Sequence, residues 1–346
     1  MADAAEPPSG RPPADSGPVE VSQADTPVPQ TESNAANDAF GPGQIPASGW
    51  WLILRRVGPH FLASRLPQLG AGVAFFAVLS IAPVLVTALS VYGAVNTPEQ
   101  ALNQLSQVAE LLPPEMEPLV AEQLTTITAA STQVLTRRGV FGLALALWTA
   151  TTAMMCLIEA LNTAYHESET RGFLRRSVLA LTFVLGGAMF LGAVIAVAGV
   201  ASRALTRAPQ EVRTVVPILT WLALAVLMSA VLAVLYRFAP DRRQARWRWI
   251  SRGSTAATVL WLLTSVALFA YVRSLGTYES TYGSLAGVAI SMFWLWISIV
   301  LVLLGAALNA ETERQTQQDT TVGSARPRGQ RGAVVADSIP PYPPEG

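Results

Sequence analysis

Three polar residues on one apolar helix are the first candidates for chemistry in this sequence. Glu159, Asn162 and His166 are spaced i, i+3 and i+7, which places them on one helix face. An ionisable side chain within an apolar helix is costly, and this favours a polar vestibule or a site that responds to a proton or an ion. The alternative is a hydrogen-bonded network at the helix end that fixes packing. The spacing leaves both interpretations open.

Depth along the helices indicates which other polar residues can join this group. At about 1.5 Å per residue, Glu159 lies close to one end of its apolar stretch. Tyr236, Arg237 and Asn309 lie at the corresponding depth on two further stretches. We therefore predict an inner cluster, on the side assigned below to the cytoplasm, that consists of Glu159, Asn162, His166, Tyr236, Arg237 and Asn309.

A second group lies at the opposite depth. Arg273 falls near the far end of its apolar stretch, so it cannot pair with Glu159. Tyr278 and Tyr282 follow it and are four residues apart. We predict an outer cluster of Arg273, Tyr278 and Tyr282 that acts as a gate or contacts lipid headgroups. The two tyrosines are equally typical of ordinary interfacial aromatic residues.

Pro83 near the middle of the first apolar stretch predicts a helix kink, because proline removes one helix hydrogen bond. Ser80, three residues earlier, is placed to bond to a carbonyl and assist the bend. Helix breaks at this depth are typical of transport sites. Isolated proline kinks are also common in membrane helices, so the packing interpretation stays open.

No catalytic or metal-binding motif accompanies these residues. The sequence has no nucleotide-binding P-loop, no Gly-x-Ser-x-Gly elbow and no His-Glu-x-x-His. It has two histidines, His60 and His166, and one cysteine, Cys156, which argue against a metal site and exclude an intrachain disulfide framework. We therefore predict no enzyme, no cofactor and no metal.

Six apolar stretches must position the polar residues. Together they contain two charged residues, Glu159 and Arg273, although 13% of the whole chain is charged. Each is long enough for the ~20 helical residues that cross a bilayer. The sequence therefore predicts an all-α polytopic membrane protein with six transmembrane helices. The stretches are 69–95, 139–165, 177–201, 214–236, 253–275 and 285–309.

The arginine distribution predicts the orientation. Every one of the 23 basic residues is arginine, and thirteen lie on the side of the termini against six on the other side. Both termini should therefore be cytoplasmic. A formal net charge of zero argues against a nucleic-acid partner.

The regions outside the stretches differ in composition. Residues 1–48 and 313–346 are rich in proline and polar residues, and we predict that both are disordered cytoplasmic tails. Residues 49–312 form the predicted membrane domain. Within it, residues 96–136 repeat apolar residues at helical spacing, which predicts an amphipathic outer loop of two short helices. A plain solvated hairpin is the alternative.

Three segments carry motifs of a known family. They are 71–83 (AGVAFFAVLSIAP), 147–171 (with ALNTAY at 160–165) and 235–311 (with YESTYGS at 278–284 and GAALNAE at 305–311). Together they resemble the YihY/BrkB family of bacterial inner-membrane proteins, once misnamed ribonuclease BN. The resemblance covers roughly 50–312 and implies six spans with both termini inside. It supplies no mechanism, and the ribonuclease label is not carried over.

Two positions depart from the family pattern. Ala307 stands where the closing motif usually has an acid, which weakens an ion-coupling role there. Arg252 precedes Gly253 where the family tends to have proline.

The residues favour a transporter or a flippase-like protein for an amphiphilic or lipidic substrate, with membrane lipids as partners. The first alternative is a scaffold or envelope-assembly protein without transport. The second is an intramembrane enzyme, which no motif supports. Small-residue faces allow a homo-oligomer but do not require one.

Overall fold

The computed structural model describes residues 41–95, 132–205, 210–274 and 284–338. Within these ranges the chain is helical, and the extended pairing there is one isolated bridge between Ala245 and Thr321. A short 3-10 turn, Pro42–Gln44, precedes the first helix. The helices are α1 (Ala47–Ala63), α2 (Leu66–Val95), α3 (Thr132–Ala164), α4 (Phe173–Leu205), α5 (Gln210–Phe238), α6 (Trp247–Ser274), α7 (Ser284–Arg314) and α8 (Val334–Asp337).

Six of these helices, α2 to α7, are long and apolar enough to cross a membrane. Their mean hydropathy lies between 1.8 and 2.4. The candidate spans are Leu66–Thr87, Arg137–Ala164, Phe173–Val194, Leu219–Phe238, Trp247–Val272 and Gly287–Arg314. The prediction of an all-α protein with six spans is therefore confirmed.

The order of the helices in space differs from their order along the chain. Helix α3 packs against α2 and α4, α2 packs against α7, α7 packs against α6, and α6 packs against α5. The spatial series is thus α4, α3, α2, α7, α6, α5. Although α4 and α5 follow each other in sequence, they lie at the two ends of this series, and each packs mainly on one neighbour within the described residues.

The middle parts of α4 and α5 carry large exposed apolar side chains. On α4 these include Met189 and Leu191, and on α5 they include Trp221 and Leu222. Apolar area of this size is stable in contact with acyl chains and costly in contact with water. Within the described residues, these two helices therefore expose the largest part of their apolar side chains on the outside of the bundle.

Helices α6 and α7 approach each other closely at two glycines. A Cβ atom at Gly253 would collide with the carbonyl oxygen of Gly305 and with the amide of Asn309. The hydroxyl of Tyr236, from α5, lies beside Gly305 and donates to the carbonyl of Val302 at 2.7 Å. By contrast, a Cβ added at Gly186, Gly187 or Gly192 on α4 would meet open space.

Helix α2 continues without interruption through Pro83. The hydroxyl of Ser80 donates to the carbonyl of Ala77 at 2.7 Å, and that of Thr87 donates to the carbonyl of Pro83 at 2.7 Å. These bonds keep the hydroxyl groups beside the proline satisfied within the helix. A kink at Ser80 and Pro83 stays a prediction.

Residues 315–338 differ from the disordered tail predicted for 313–346, since they pack on the end of the bundle. The guanidinium of Arg331 is 6% exposed and donates to four carbonyls, those of Gln317, Gln318, Arg326 and Ala336. Composition indicated too few apolar residues for a core, but buried polar bonds order this segment instead. Residues 1–40, 96–131 and 339–346, with the rest of the predicted tails and most of the predicted outer loop, lie outside the described residues.

Candidate functional site

All six residues of the predicted inner cluster lie at one end of the bundle, where α3, α5 and α7 end. We call it the arginine-rich end, because the loops between α3 and α4 and between α5 and α6 bring arginines to it. The six side chains do not form one group. They belong to separate networks, which are described in turn below.

Asn162 joins the two loops at this end. Its side-chain amide donates to Glu169 Oε2 at 2.8 Å, and its oxygen accepts the backbone N–H of Asp241 at 2.7 Å. Asp241 Oδ2 in turn accepts the backbone N–H of Thr170 at 2.7 Å and the Thr170 hydroxyl at 2.5 Å. The loops 165–172 and 239–246 are therefore held together by hydrogen bonds.

Two carboxylates of these loops, those of Asp241 and Glu169, have pKa values below the usual range. Burial alone would raise the pKa of Asp241, but the hydrogen bonds from Thr170 and the charge of Arg171 lower it below its usual value. The same balance holds for Glu169, whose pKa is lowered by two hydrogen bonds from the side chain of Arg171, at 2.7 and 2.9 Å. Both groups therefore keep a negative charge beside Arg171 at neutral pH.

His166 ends α3 in a left-handed conformation, with φ of 58°. The N–H of Glu167 bonds to the carbonyl of Asn162 at 2.8 Å, and that of His166 bonds to the carbonyl of Thr163 at 3.1 Å, which is the Schellman pattern. Glycine usually occupies this position, since a Cβ is disfavoured there. The ring stacks on His60 from α1, with centroids 3.9 Å apart, and this contact holds it in place.

The carboxylate of Glu311 on α7 is the centre of this second network. Its oxygens lie 3.1 Å from Arg56 Nε, 2.8 Å from Arg314 Nη1 and 3.4 Å from His166 Nε2. The side chain is 1% exposed. The buried carboxylate of Glu311 is therefore contacted by three side chains, which come from α1, from the end of α3 and from α7 itself.

Tyr236 and Asn309 belong to a third network between α5, α6 and α7. The side-chain oxygen of Asn309 accepts the N–H of Gly253 at 2.7 Å, and its amide lies 3.4 Å from the hydroxyl of Tyr165. Burial, with Glu313 nearby, raises the pKa of Tyr165 far above its usual value, so the phenol is neutral. Ala307, where the family pattern expects an acid, is fully buried two residues before Asn309.

A buried ion pair adjoins this network. Arg242 Nη2 lies 2.6 Å from Glu313 Oε2, and both side chains are almost fully buried. The hydroxyl of Thr320 donates to the same carboxylate at 3.0 Å, and the guanidinium of Arg242 lies over the ring of Tyr165. The pair therefore ties the loop after α5 to the C-terminal segment.

Glu159 lies apart from the other five residues. Its carboxylate is 46% exposed and lies 2.9 Å from Arg176 Nη1 at the start of α4. Arg176 also donates to the carbonyl of Met155 at 2.8 Å. This pair connects α3 to α4 on the outside of the bundle.

Arg237 faces a cavity of about 420 Å³ between α4 and α5. The guanidinium lies 4.3 Å from the ring centre of Trp247, a cation–π contact. We call this space the arginine cavity. It is lined by Arg171, Arg175, Val178, Leu179 and Thr182 on one side and by Arg237, Phe238, Pro240, Asp241, Arg242 and Gln244 on the other.

The arginine cavity combines a polar floor with an apolar wall. The two hydrogen-bonded loops supply the floor, and Val178 and Phe238, both exposed on the outside of the bundle, supply part of the wall. Its volume lies within the range of ~300–1,000 Å³ that is usual for small-molecule sites. A cationic end with an apolar side is suited to an amphiphile.

The outer cluster is placed only in part. Arg273 lies in the last turn of α6, and its side chain is outside the described part of the structure. Tyr278 and Tyr282 lie outside the described residues. In the ranges that are described, no group of three or more His, Cys, Asp or Glu residues could hold a metal ion.

Several residues at the arginine-rich end were not included in the predicted inner cluster. They are Arg56, His60, Tyr165, Glu169, Arg171, Asp241, Arg242, Glu311 and Glu313. One signal in the sequence could have pointed to them. Glu311 and Glu313 follow the last apolar stretch on the side with most arginines, and an acid buried there needs an arginine as counter-ion. The arginine count that gave the orientation took no account of acids.

Comparisons with known proteins agree with this fold. The chain is 27% identical over 255 residues to the ribonuclease-like protein YfkH of Bacillus subtilis, a match that covers 69% of this chain and 87% of YfkH. It is 28% identical to the UPF0761 membrane protein Nmul_A0452 of Nitrosospira multiformis, over 72% of this chain and 58% of that protein. It is 24% identical to the UPF0761 membrane protein RC1_0578 of Rhodospirillum centenum, over 86% of this chain and 64% of that protein.

The chain thus spans about three fifths of the length of these two UPF0761 relatives. No solved structure matches it. The Virulence factor BrkB family matches residues 58–330, which include α2 to α7 and most of the C-terminal segment. This integral membrane protein therefore belongs to the Virulence factor BrkB family.

Proposed function

We propose that this protein is a transporter or flippase-like protein for an amphiphilic or lipidic substrate. The observation that carries the proposal is the arginine cavity, which offers a cationic floor and an apolar wall in one space of about 420 Å³. A lipid needs both surfaces at once, because its headgroup is polar and its chains are not. We assign no ribonuclease activity to this chain, since that word comes from the name of YfkH alone.

The position of α4 and α5 supports entry of a substrate from the bilayer. These helices lie at the two ends of the spatial series, and their apolar side chains are exposed along much of their length. A substrate in the membrane reaches the arginine cavity between them without crossing the packed part of the bundle. Little packing free energy opposes a relative movement of two helices that share few buried contacts.

We propose that the arginine-rich end faces the cytoplasm of a bacterium, with the protein in the plasma membrane. The thirteen arginines on that side support this orientation. Anionic headgroups of the cytoplasmic leaflet would then lie at the depth of the arginine cavity. Membrane lipids are thus the proposed partners, and the open faces of Gly186, Gly187 and Gly192 are compatible with a second copy of the chain.

Movement of lipid across a vesicle membrane tests the proposed function. The purified full chain is placed in liposomes with a fluorescent phospholipid, and a membrane-impermeant reductant is added outside. The protein should expose fluorophores of the inner leaflet to the reductant faster than in empty liposomes. A rate equal to that of empty liposomes, for phosphatidylglycerol and phosphatidylethanolamine alike, would contradict the proposal.

A scaffold without transport is the second candidate. It is favoured by the bonding at the arginine-rich end, where Asn162, Asn309 and Tyr236 have partners for their polar atoms and are buried. Buried polar groups whose hydrogen bonds are all formed within the protein are typical of networks that fix packing. A scaffold predicts that variants of the arginine cavity leave envelope phenotypes unchanged, whereas variants of the buried networks abolish them.

A further inference from the structure

We infer that the arginine cavity binds a phosphate ester anion, with Arg237 and Arg175 as the residues that contact the phosphate. This inference rests on the proposed function, because it names the chemistry of the substrate at the same site. The observations that support it are the charge balance of the cavity, the bonding of Arg237 and the composition of the wall.

Four arginines line the arginine cavity, and two of them are neutralised. Arg171 forms a bidentate pair with Glu169, and Arg242 forms a buried pair with Glu313. Among the described residues, neither Arg175 nor Arg237 has a carboxylate within salt-bridge distance. The remaining acid in the lining, Asp241, is occupied by Thr170 and lies 3.6 Å from Arg171. Counted as formal charges, the four arginines against Glu169, Glu313 and Asp241 leave an excess of one positive charge, and neither Arg175 nor Arg237 is neutralised by direct contact.

Arg237 has donors that the protein does not use. Its Nε and Nη1 are buried and have no hydrogen-bond partner among the described residues, and its Nη2 has one long contact, 3.5 Å to Gln244 Oε1. The cation–π contact with Trp247 fixes the orientation of the Arg237 guanidinium. Unpaired buried donors are costly, and Nε together with an Nη forms a fork whose N–H groups donate to two oxygens of a phosphate.

Arg175 supplies the second charge from the opposite wall. Arg175 is exposed and lies in the first turn of α4. Val178 and Leu179, which follow it on α4, also line the cavity. A phosphate between Arg175 and Arg237 would have apolar side chains directly beside it. Two sources fit this chemistry: the headgroup of a phospholipid and a soluble phosphate ester.

Lipid binding by the purified full chain in detergent tests the inference. Native mass spectrometry gives the apparent affinity for three probes: dioleoyl phosphatidylglycerol, dioleoylglycerol, which has the same chains and no phosphate, and sn-glycerol 3-phosphate as the soluble ester. The variants are Arg237→Gln and Arg175→Gln. The matched control is Arg55→Gln, which removes an exposed arginine of α1 that does not line the cavity.

Wild-type protein should bind phosphatidylglycerol in preference to dioleoylglycerol. Arg237→Gln should weaken the tightest phosphatidylglycerol site about tenfold, the usual cost of one charge-assisted bond. Arg175→Gln should weaken it in the same direction, and Arg55→Gln should leave it within about twofold of wild type. Because Arg175 is exposed, its variant stays informative even if Arg237→Gln fails to fold.

The probes distinguish the two sources of phosphate. Competition by millimolar glycerol 3-phosphate would identify a soluble ester, and its absence would identify the lipid headgroup. The inference is overturned if both cavity variants bind phosphatidylglycerol as wild type does, or if Arg55→Gln weakens binding equally. If wild-type protein binds phosphatidylglycerol at this site but does not translocate it, the proposed function is rejected and the site stands. If wild-type protein translocates the lipid but both cavity variants bind it as wild type does, the site alone is rejected.

Discussion

Arg56 Nε lies 3.1 Å from Glu311 Oε2 in an almost dry site, although the two residues are 255 positions apart in the chain. The contact joins α1, which precedes the first span, to the end of the last span. Arg314 and His166 approach the same carboxylate. A buried charge of this kind is stable only while its partners remain.

Glu311→Gln should therefore be strongly destabilising. It leaves Arg56 and Arg314 buried without a counter-ion, which costs about 3–5 kcal/mol when one partner of a buried pair is removed. The midpoint of thermal unfolding in detergent should fall clearly. Glu159→Gln is the matched control, because its pair with Arg176 is half exposed and contributes only about 0–1 kcal/mol. Equal melting temperatures for the two variants would contradict the buried network.

Gly253→Ala should destabilise the bundle by forcing α6 away from α7. The added methyl group would collide with the carbonyl of Gly305 and the amide of Asn309. Overpacking of this kind costs about 1–3 kcal/mol, and here the Gly253–Asn309 hydrogen bond would also be lost. Thermal unfolding of the purified protein measures the effect.

Gly187→Ala is the control for the glycine contact. A methyl group at this position of α4 meets open space, so the gain in helix propensity of up to ~1 kcal/mol should appear without a clash. If Gly187→Ala lowers the melting temperature as much as Gly253→Ala does, the close approach of α6 and α7 is not what the Gly253 variant reports. A second copy of the chain seated on α4 would produce that result.

His60 should make the protein less stable in mild acid. Burial, and then the neighbouring His166, lower the pKa of His60 below its usual value of 6.5, while the carbonyl of Ala164 and the charge of Glu311 oppose this lowering. Since the unfolded state takes up the proton first, the stability from this group is full above about pH 6.5 and is lost as the pH falls through the folded-state pKa. One proton changes stability by at most ~1.4 kcal/mol per pH unit.

The melting temperature of wild type should therefore decline between neutral pH and pH 5, and that of His60→Gln should decline less. The glutamine keeps a polar group near the carbonyl of Ala164, which lies 3.4 Å from His60 Nε2. Parallel pH profiles for the two proteins would show that the histidine stack carries no such linkage.

Arg331→Ala should release the C-terminal segment and leave the spans folded. The substitution removes the donor to four carbonyls of residues 317–336, of which the one to Ala336 is buried and the other three are partly buried. Loss of the buried bond alone costs about 1–3 kcal/mol. Hydrogen exchange of residues 315–338 should accelerate, with α3 unchanged. Arg326→Ala, whose side chain is exposed, is the control and should exchange as wild type does. Unaltered protection in Arg331→Ala would refute the role given to this side chain.

The spans could be predicted from hydropathy, but the end of the last span could not. The last apolar stretch stops at 309 because Glu311 and Arg314 follow, whereas the helix continues to Arg314. Glu311 and Arg314 form an ion pair with each other inside the fold, so the helix continues through them. Ion pairing between distant segments leaves no trace in a hydropathy pattern.

The inner cluster could be predicted as a set of residues at one depth, and its bonding could not. Helical spacing placed Asn162 and His166 on one face, yet Asn162 bonds to Asp241 while His166 stacks on His60. The partners come from α1 and from the loop after α5, and their approach depends on the order of helices in space. The arginine cavity could not be predicted for the same reason, because it requires the start of α4 to lie near the end of α5 and the loop that follows it.

Blocking the arginine cavity tests the proposed transport most directly. Thr182→Trp places an indole in the cavity, and Thr220→Trp places one on α5 away from it; both threonines are exposed and donate to a carbonyl four residues earlier. In liposomes with fluorescent phosphatidylglycerol, wild type and Thr220→Trp should translocate the lipid at equal rates, and Thr182→Trp should be at least about tenfold slower, equivalent to ~1.4 kcal/mol in the barrier. Translocation by Thr182→Trp at the wild-type rate would contradict a lipid path through this cavity.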